Sequence, residues 1–259
     1  MTNRIADTFA ELKAAGRKAL VGYLTAGDPD PAASEQHVRT ALDAGLDVLE
    51  LGMPFSDPTA DGPTIQEASR RALAAGMNLR KALDMVARIR GDYELPIVLF
   101  GYANPFFLYG YERICAESAQ AGVDGLLVVD LSFEETDELR PVARRHGLCL
   151  IPLIAPTTPQ ERARAVLKDA RGFVYYIMVK GVTGARDRVV SDLAEHVTLL
   201  RGVTDLPIVA GFGVSSGRQA REAAAAADGV VVGSALVRAA ADGTLAELVR
   251  ELRTGLDGG

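Results

Sequence analysis

The chain is 259 residues long, with 48% hydrophobic and 24% charged residues and a formal net charge of −6. That composition is of a soluble globular protein with a substantial core. It argues against nucleic acid or an anionic membrane as the main partner. Cys115 and Cys149 stand in no metal-like spacing and read as reduced thiols of a cytoplasmic protein.

The opening MTNRIADTFAELKAAG reads as an amphipathic helix, since its apolar runs are too short for a signal peptide. Eight apolar runs follow, at 19–24, 47–51, 96–101, 125–130, 148–153, 173–178, 207–211 and 229–233. They are nearly continuous instead of alternating, as expected of parallel strands covered on both faces. None approaches the roughly 18 uncharged apolar residues of a membrane span.

Helical patterns lie between the runs. The segment 31–45 ends on Gly45, and the long interval after the second run has room for helices at about 64–75 and 79–90. The segment 132–147 opens with Ser132 and Glu135 in capping-box spacing, while Pro141 predicts a kink or a break. Further helices are expected at 158–172 and 215–229, and the tail GLDGG is expected to fray. Eight β-α alternations without a linker predict one domain, 1–259. The predicted fold is α/β, a (β/α)8 TIM barrel with an N-terminal helix and extra helices. An open doubly wound sheet is the alternative.

In such a barrel the active site lies where the strands end. Two groups of residues at those ends carry chemistry. Gly184, Gly213 and Gly233-Ser234 follow three successive strands, where glycine backbone and helix N-termini suit an anion such as phosphate. Glu50 sits inside the apolar strand DVLEL, and Asp61 in the proline-rich loop behind it. A carboxylate in an apolar strand is costly unless paired, and burial raises its pKa into the range useful for proton transfer. The competing readings are a structural carboxylate at Glu50 and plain turn residues at Asp57 and Asp61. His37, His146 and His196 lie far apart and make no metal set. The segment GVTGARDR, 181–188, reads as an ordinary loop or as a lid.

The stretch LELGMPFSDPTADGPTIQ, 49–66, resembles the signature of the tryptophan synthase α subunit family, ELG-x-PFSDP-x-ADGP-x-IQ. YLTAGDP at 23–29, YANP at 102–105, GVTGAR at 181–186 and GFGVSS at 211–216 add to the resemblance, in the family's order over nearly the whole chain. The resemblance implies retro-aldol cleavage of indole-3-glycerol phosphate to indole and glyceraldehyde 3-phosphate, a carbon–carbon lyase step in tryptophan biosynthesis. It implies Glu50 as proton shuttle and Asp61 as acceptor of the indole N–H. It places phosphate at Gly184, Gly213, Gly233 and Ser234, the glycerol near Tyr175, and indole against Phe212, Tyr102 and Phe100. Phe100 stands where the family usually has leucine. Thr183 would meet Asp61 on closure. Pro54, Asp57 and Pro58 resemble the loop that contacts a β subunit in an α2β2 heterotetramer. Pyridoxal phosphate belongs to that partner, so no cofactor is expected in this chain. Departures fall at Gly22, at Leu131-Ser132-Phe133 and at Ile177-Met178-Val179-Lys180. A stand-alone indole-3-glycerol phosphate lyase and a phosphate-binding barrel that regulates a partner are the alternatives.

Overall fold

The computed structural model describes residues 3–177, 186–211 and 213–258, without the side chains of 186–192. After helix α1 (Arg4–Ala14) come β1 (Ala19–Thr25), α2 (Pro31–Asp43), β2 (Val48–Gly52), α3 (Pro63–Ala74) and α4 (Leu79–Arg90). Next are β3 (Ile97–Gly101), α5 (Ala103–Tyr109), α6 (Tyr111–Ala121) and β4 (Gly125–Val128). A 3-10 turn (Phe133–Asp137) leads to α7 (Leu139–Arg145), β5 (Cys149–Leu150), β6 (Leu153–Ile154) and α8 (Gln160–Leu167). The chain ends with β7 (Val174–Ile177), α9 (Arg186–Arg201), β8 (Ile208–Gly211), α10 (Gly217–Ala224), β9 (Gly229–Val232), α11 (Ser234–Ala241) and α12 (Leu245–Asp257).

Every strand pairing is parallel, in the order β5-β4-β3-β2-β1-β9-β8-β7-β6. The two ends of that series are joined by two residues, Ile151 and Pro152. Ile151 N–H donates to Leu126 O on β4 at 2.9 Å, and Pro152 O accepts from Tyr175 N–H on β7 at 2.9 Å. The sheet therefore closes into a barrel, and β5 and β6 together occupy the fifth position. The expected single strand at 148–153 is corrected to two short halves. Pro152 has no N–H to donate, so the chain hands its pairing from β4 to β7 at that residue.

Side chains alternate across the wall. Val21 and Tyr23, Val48 and Glu50, Val98 and Phe100, Ile151 and Leu153, and Phe173 and Tyr175 face the lumen. Apart from Tyr23, which packs with Ala68 and Val237, their apolar members form one cluster there. Ile5, Phe9 and Leu12 of α1 belong to the same cluster and plug the N-terminal end of the barrel, with Phe9 and Phe173 rings 5.6 Å apart. A larger cluster packs the outer face of the sheet against the helices. Aspartates at the N-terminal rim stitch neighbouring strands together. Asp47 accepts from Leu20 N–H at 2.7 Å, Asp124 from Ile97 N–H at 2.9 Å and Asp228 from Ile208 N–H at 2.9 Å. An arginine is ion-paired to each: Arg253, Arg90 and Arg201 respectively.

Local signals explain the helix starts. Asp30 accepts from Ala32 and Ala33 N–H with Pro31 at the first helical position, and Asn78 accepts from Lys81 N–H. The break expected near Pro141 lies just before it. Ser132 N–H donates to Glu135 at 3.3 Å across the 3-10 turn, and α7 then starts afresh at Leu139. Pro141 thus falls in a first turn, where no intrahelical N–H is required. The frayed tail is corrected too. Gly255, Leu256 and Asp257 belong to α12, Leu256 is buried, and Gly255 lies directly against the Gly217 backbone. Among the described residues no helix is long and apolar enough to cross a membrane.

Candidate active site

At the C-terminal mouth of the lumen, Glu50 is 0% exposed. It pairs in register with Tyr23 of β1 and Val98 of β3. Among the described residues neither of its carboxylate oxygens has a hydrogen-bond partner. Burial alone pushes its pKa up to about 8, so the group holds its proton at neutral pH. The structural-carboxylate reading required backbone donors, and the described residues offer none.

Asp61 approaches from the loop between β2 and α3. It is half-buried, and burial raises its pKa to about 6, opposed by a hydrogen bond with the Tyr102 hydroxyl. The loop is anchored by the same tyrosine. Ala60 N–H donates to Tyr102 Oη at 3.1 Å, and the Phe55 and Tyr102 rings lie 5.1 Å apart. Asp61 N–H bonds back to Pro58 O at 3.0 Å, and its carbonyl accepts from Gln66 Nε2 at 2.9 Å. Turn chemistry and a place at the barrel mouth are thus combined in one residue. Glu50 and Asp61 converge on the same two phenols. Tyr23 and Tyr175 both have their pKa raised, first by burial and then by the charges of these two acids.

Tyr23 carries no role in the sequence reading, although its motif does. Its hydroxyl accepts from Thr25 Oγ1 at 3.3 Å, and its ring meets Phe100 edge-on at 5.1 Å. It lies so close to Gly52 that a Cβ there would sit 2.1 Å from the hydroxyl. Tyr175 lies on Gly211 in the same way, with 2.5 Å between its ring and a Cβ built there. Two glycines therefore make room for two inward tyrosines. The signal for Tyr23 was the alternation of β1 itself: once Glu50 points inward, its registered neighbour points inward too.

On the opposite wall, Gly213 has a φ of +33°. Gly233 precedes α11, whose first residue is Ser234 and which has no side-chain cap. Uncapped N–H groups at a helix start suit an anion. Of the predicted site residues, Glu50, Asp61, Tyr175, Tyr102, Phe100, Gly213, Gly233 and Ser234 lie around this mouth. Thr183, Gly184, Phe212 and Lys180 lie outside the described residues. In the loop before Asp61, Pro54 is buried, Pro58 half-buried and Asp57 exposed.

Comparison with known proteins agrees over the whole length. A family profile described as Tryptophan synthase alpha chain matches residues 9–254. The chain is 54% identical over 252 residues to the Tryptophan synthase alpha chain of Geobacter sulfurreducens, covering 97% of this chain and 96% of that one. Tryptophan synthase subunit alpha from Legionella pneumophila superimposes with a TM-score of 0.93 at 36% identity, covering 100% of both chains. A chain of the M. tuberculosis tryptophan synthase structure in its aminoacrylate-bound form gives 0.90 at 35% identity, covering 98% of this chain and 100% of that one. Agreement of this extent in sequence and in backbone leaves one conclusion: the chain belongs to the tryptophan synthase alpha chain family.

Proposed function

We propose that the chain cleaves indole-3-glycerol phosphate to indole and glyceraldehyde 3-phosphate, as the α subunit of a tryptophan synthase. The observation that carries this reading is the buried, unpartnered, protonated carboxyl of Glu50 at the barrel mouth. Its proton goes to indole C3, the carbon that bears the glycerol chain. The ring becomes a cation whose N–H Asp61, ionised above about pH 6, accepts as a charge-assisted hydrogen bond. The Glu50 carboxylate then takes the proton of the glycerol hydroxyl next to the scissile bond. The O–H electrons form the aldehyde, the carbon–carbon bond breaks, and its electrons restore the indole ring. Glu50 ends as it began, protonated. Acid–base help of this kind contributes roughly 100- to 10,000-fold.

In this reading the phosphate rests on Gly213, Gly233 and Ser234, with Gly184 completing the cradle. Tyr175 borders the glycerol, and Tyr102, Phe100 and Phe212 border the indole. Thr183 reaches Asp61 on closure. Proton transfers complete the reaction, so it calls for no electron sink. Pyridoxal phosphate is assigned to a β subunit that consumes the indole. That partner docks on the loop of Pro54, Asp57 and Pro58 and on the neighbouring helix α5. There Phe107 and Leu108 are 60% and 74% exposed, the kind of apolar surface that marks an interface. We place the assembly, an α2β2 heterotetramer, in the cytoplasm, consistent with two free buried cysteines.

Indole release from indole-3-glycerol phosphate, assayed with and without a β subunit, tests the reading. Slow release that the partner accelerates supports it. Fast release that ignores the partner turns the chain into a stand-alone lyase, and no release under either condition refutes catalysis.

A further inference from the structure

The split fifth strand leaves a gap in the helical layer. Helices α7 and α8 have 7 and 8 residues, only about 10–12 Å of helix each. α7 packs on α6 and β5, whereas α8 packs on α9. Between them, on the outer face of β5 and β6, opens a cavity of about 450 Å³. That volume is in the range of sites for small organic ligands, roughly 300–1,000 Å³. Its floor is apolar: Leu148, Leu150, Pro152 and Val166. Leu150, Pro152 and Val166 are only half-buried, although they occupy the layer that is fully covered around the rest of the sheet.

The rim is cationic. Arg140 and Arg162 are already held by Asp137 and Glu134. Arg144 and Arg171 also line the cavity, are exposed, and make no ion pair among the described residues. Against them stand Asp169 and Asp130, the latter engaged by Ala103 N–H at 2.7 Å. Two unneutralised guanidinium groups above an apolar floor favour a ligand with an apolar body and an anionic head. The outer part of the cavity lies apart from the two acids of the mouth. The cavity's inner end, lined by Val129, Ile151, Leu153 and Ile177, reaches the mouth, while Glu50, Asp61, Tyr102 and Tyr175 do not line it and the outer part lies against Leu150, Val166, Arg144 and Arg171.

We propose that this cavity is a second ligand site, for a small aromatic carboxylate whose ring lies on Leu150, Pro152 and Val166 and whose carboxylate is held by Arg144 and Arg171. The site stands whether or not the chain is a lyase, because it shares no acid with the reaction.

The test is calorimetric titration of the full chain with 2-naphthoate as probe. Saturable one-to-one binding is expected, unchanged by saturating indole. The double variant Arg144→Ala/Arg171→Ala should bind at least tenfold more weakly. Naphthalene-2-methanol, which keeps the rings and lacks the charge, should lose a similar factor. Val166→Trp should fill the floor and abolish binding; if that variant misfolds, the two exposed arginines still decide the matter. Absence of saturable binding, displacement by indole, or indifference to the loss of both arginines overturns the proposal. Binding is read without turnover, so a chain that releases no indole would refute the proposed activity and leave this site intact.

Discussion

Glu50 sets a conflict between folding and chemistry. Its folded-state pKa is about 8 against an ordinary 4.5. Below pH 4.5 folded and unfolded chains both hold the proton, and the group is neutral to stability. Above it the unfolded chain ionises while the folded one stays protonated, so stability falls as pH rises toward 8. At full extent the loss is about 5 kcal/mol. Glu50→Gln removes this dependence. Urea unfolding at pH 8 should find the variant more stable than the parent by several kcal/mol, and at pH 4.5 nearly equal to it. The two acids also set a rate profile. kcat/KM for indole release should rise as Asp61 ionises near pH 6 and fall as Glu50 loses its proton near pH 8, since this parameter reports the free enzyme. A profile flat from pH 5 to 9 would separate the acids from the reaction. Glu50 was legible in the sequence because a carboxylate breaks an apolar run. Tyr23 was not, because an aromatic residue in a strand looks the same whether it faces core or substrate.

Loops and helices position those residues. The loop from Met53 to Gly62 is held by prolines, by its own turn hydrogen bonds and by Tyr102, which bonds both Ala60 N–H and the Asp61 side chain. Tyr102→Phe removes both bonds. Unfolding should show a loss of about 1 kcal/mol, and the acidic limb of the rate profile should move to higher pH, because the bond that lowers the Asp61 pKa is gone. A variant with an unmoved limb would mean that Asp61 is not the group titrating there. Helices α10 and α12 cross with Gly217 and Gly255 in backbone contact, where a Cβ on Gly255 would lie 2.2 Å from Gly217 O. Gly255→Ala should cost about 1–3 kcal/mol in denaturant unfolding by forcing the helices apart. That contact contradicts the frayed tail read from GLDGG, because composition cannot reveal which glycine serves as a packing surface. Helices α5 and α6 were hidden for a related reason. YANPFFLYG has a proline and a glycine as a loop would, yet Pro105 falls in the first turn of α5, where proline is tolerated. The fifth strand was legible as one apolar run, and only Pro152 hinted that it hands its pairing from one neighbour to the other.

For the whole molecule, the barrel order was readable from spacing, since eight apolar runs alternating with helices leave few parallel arrangements. What spacing could not give is which residues of neighbouring strands lie side by side. That followed from register: Tyr23, Glu50 and Val98 lie side by side, and the lumen selects their alternate neighbours. α1 closes one end with Ile5, Phe9 and Leu12, so a substrate can enter only from the other, where both acids lie. The central claim is that one buried carboxyl both gives and takes the proton in carbon–carbon cleavage. Its most direct test is the rate of indole release at pH 7 by Glu50→Gln beside the parent chain, with circular dichroism to show that the fold is kept. A loss of at least about 100-fold in kcat is expected. A folded Glu50→Gln chain that releases indole within tenfold of the parent rate would contradict the account.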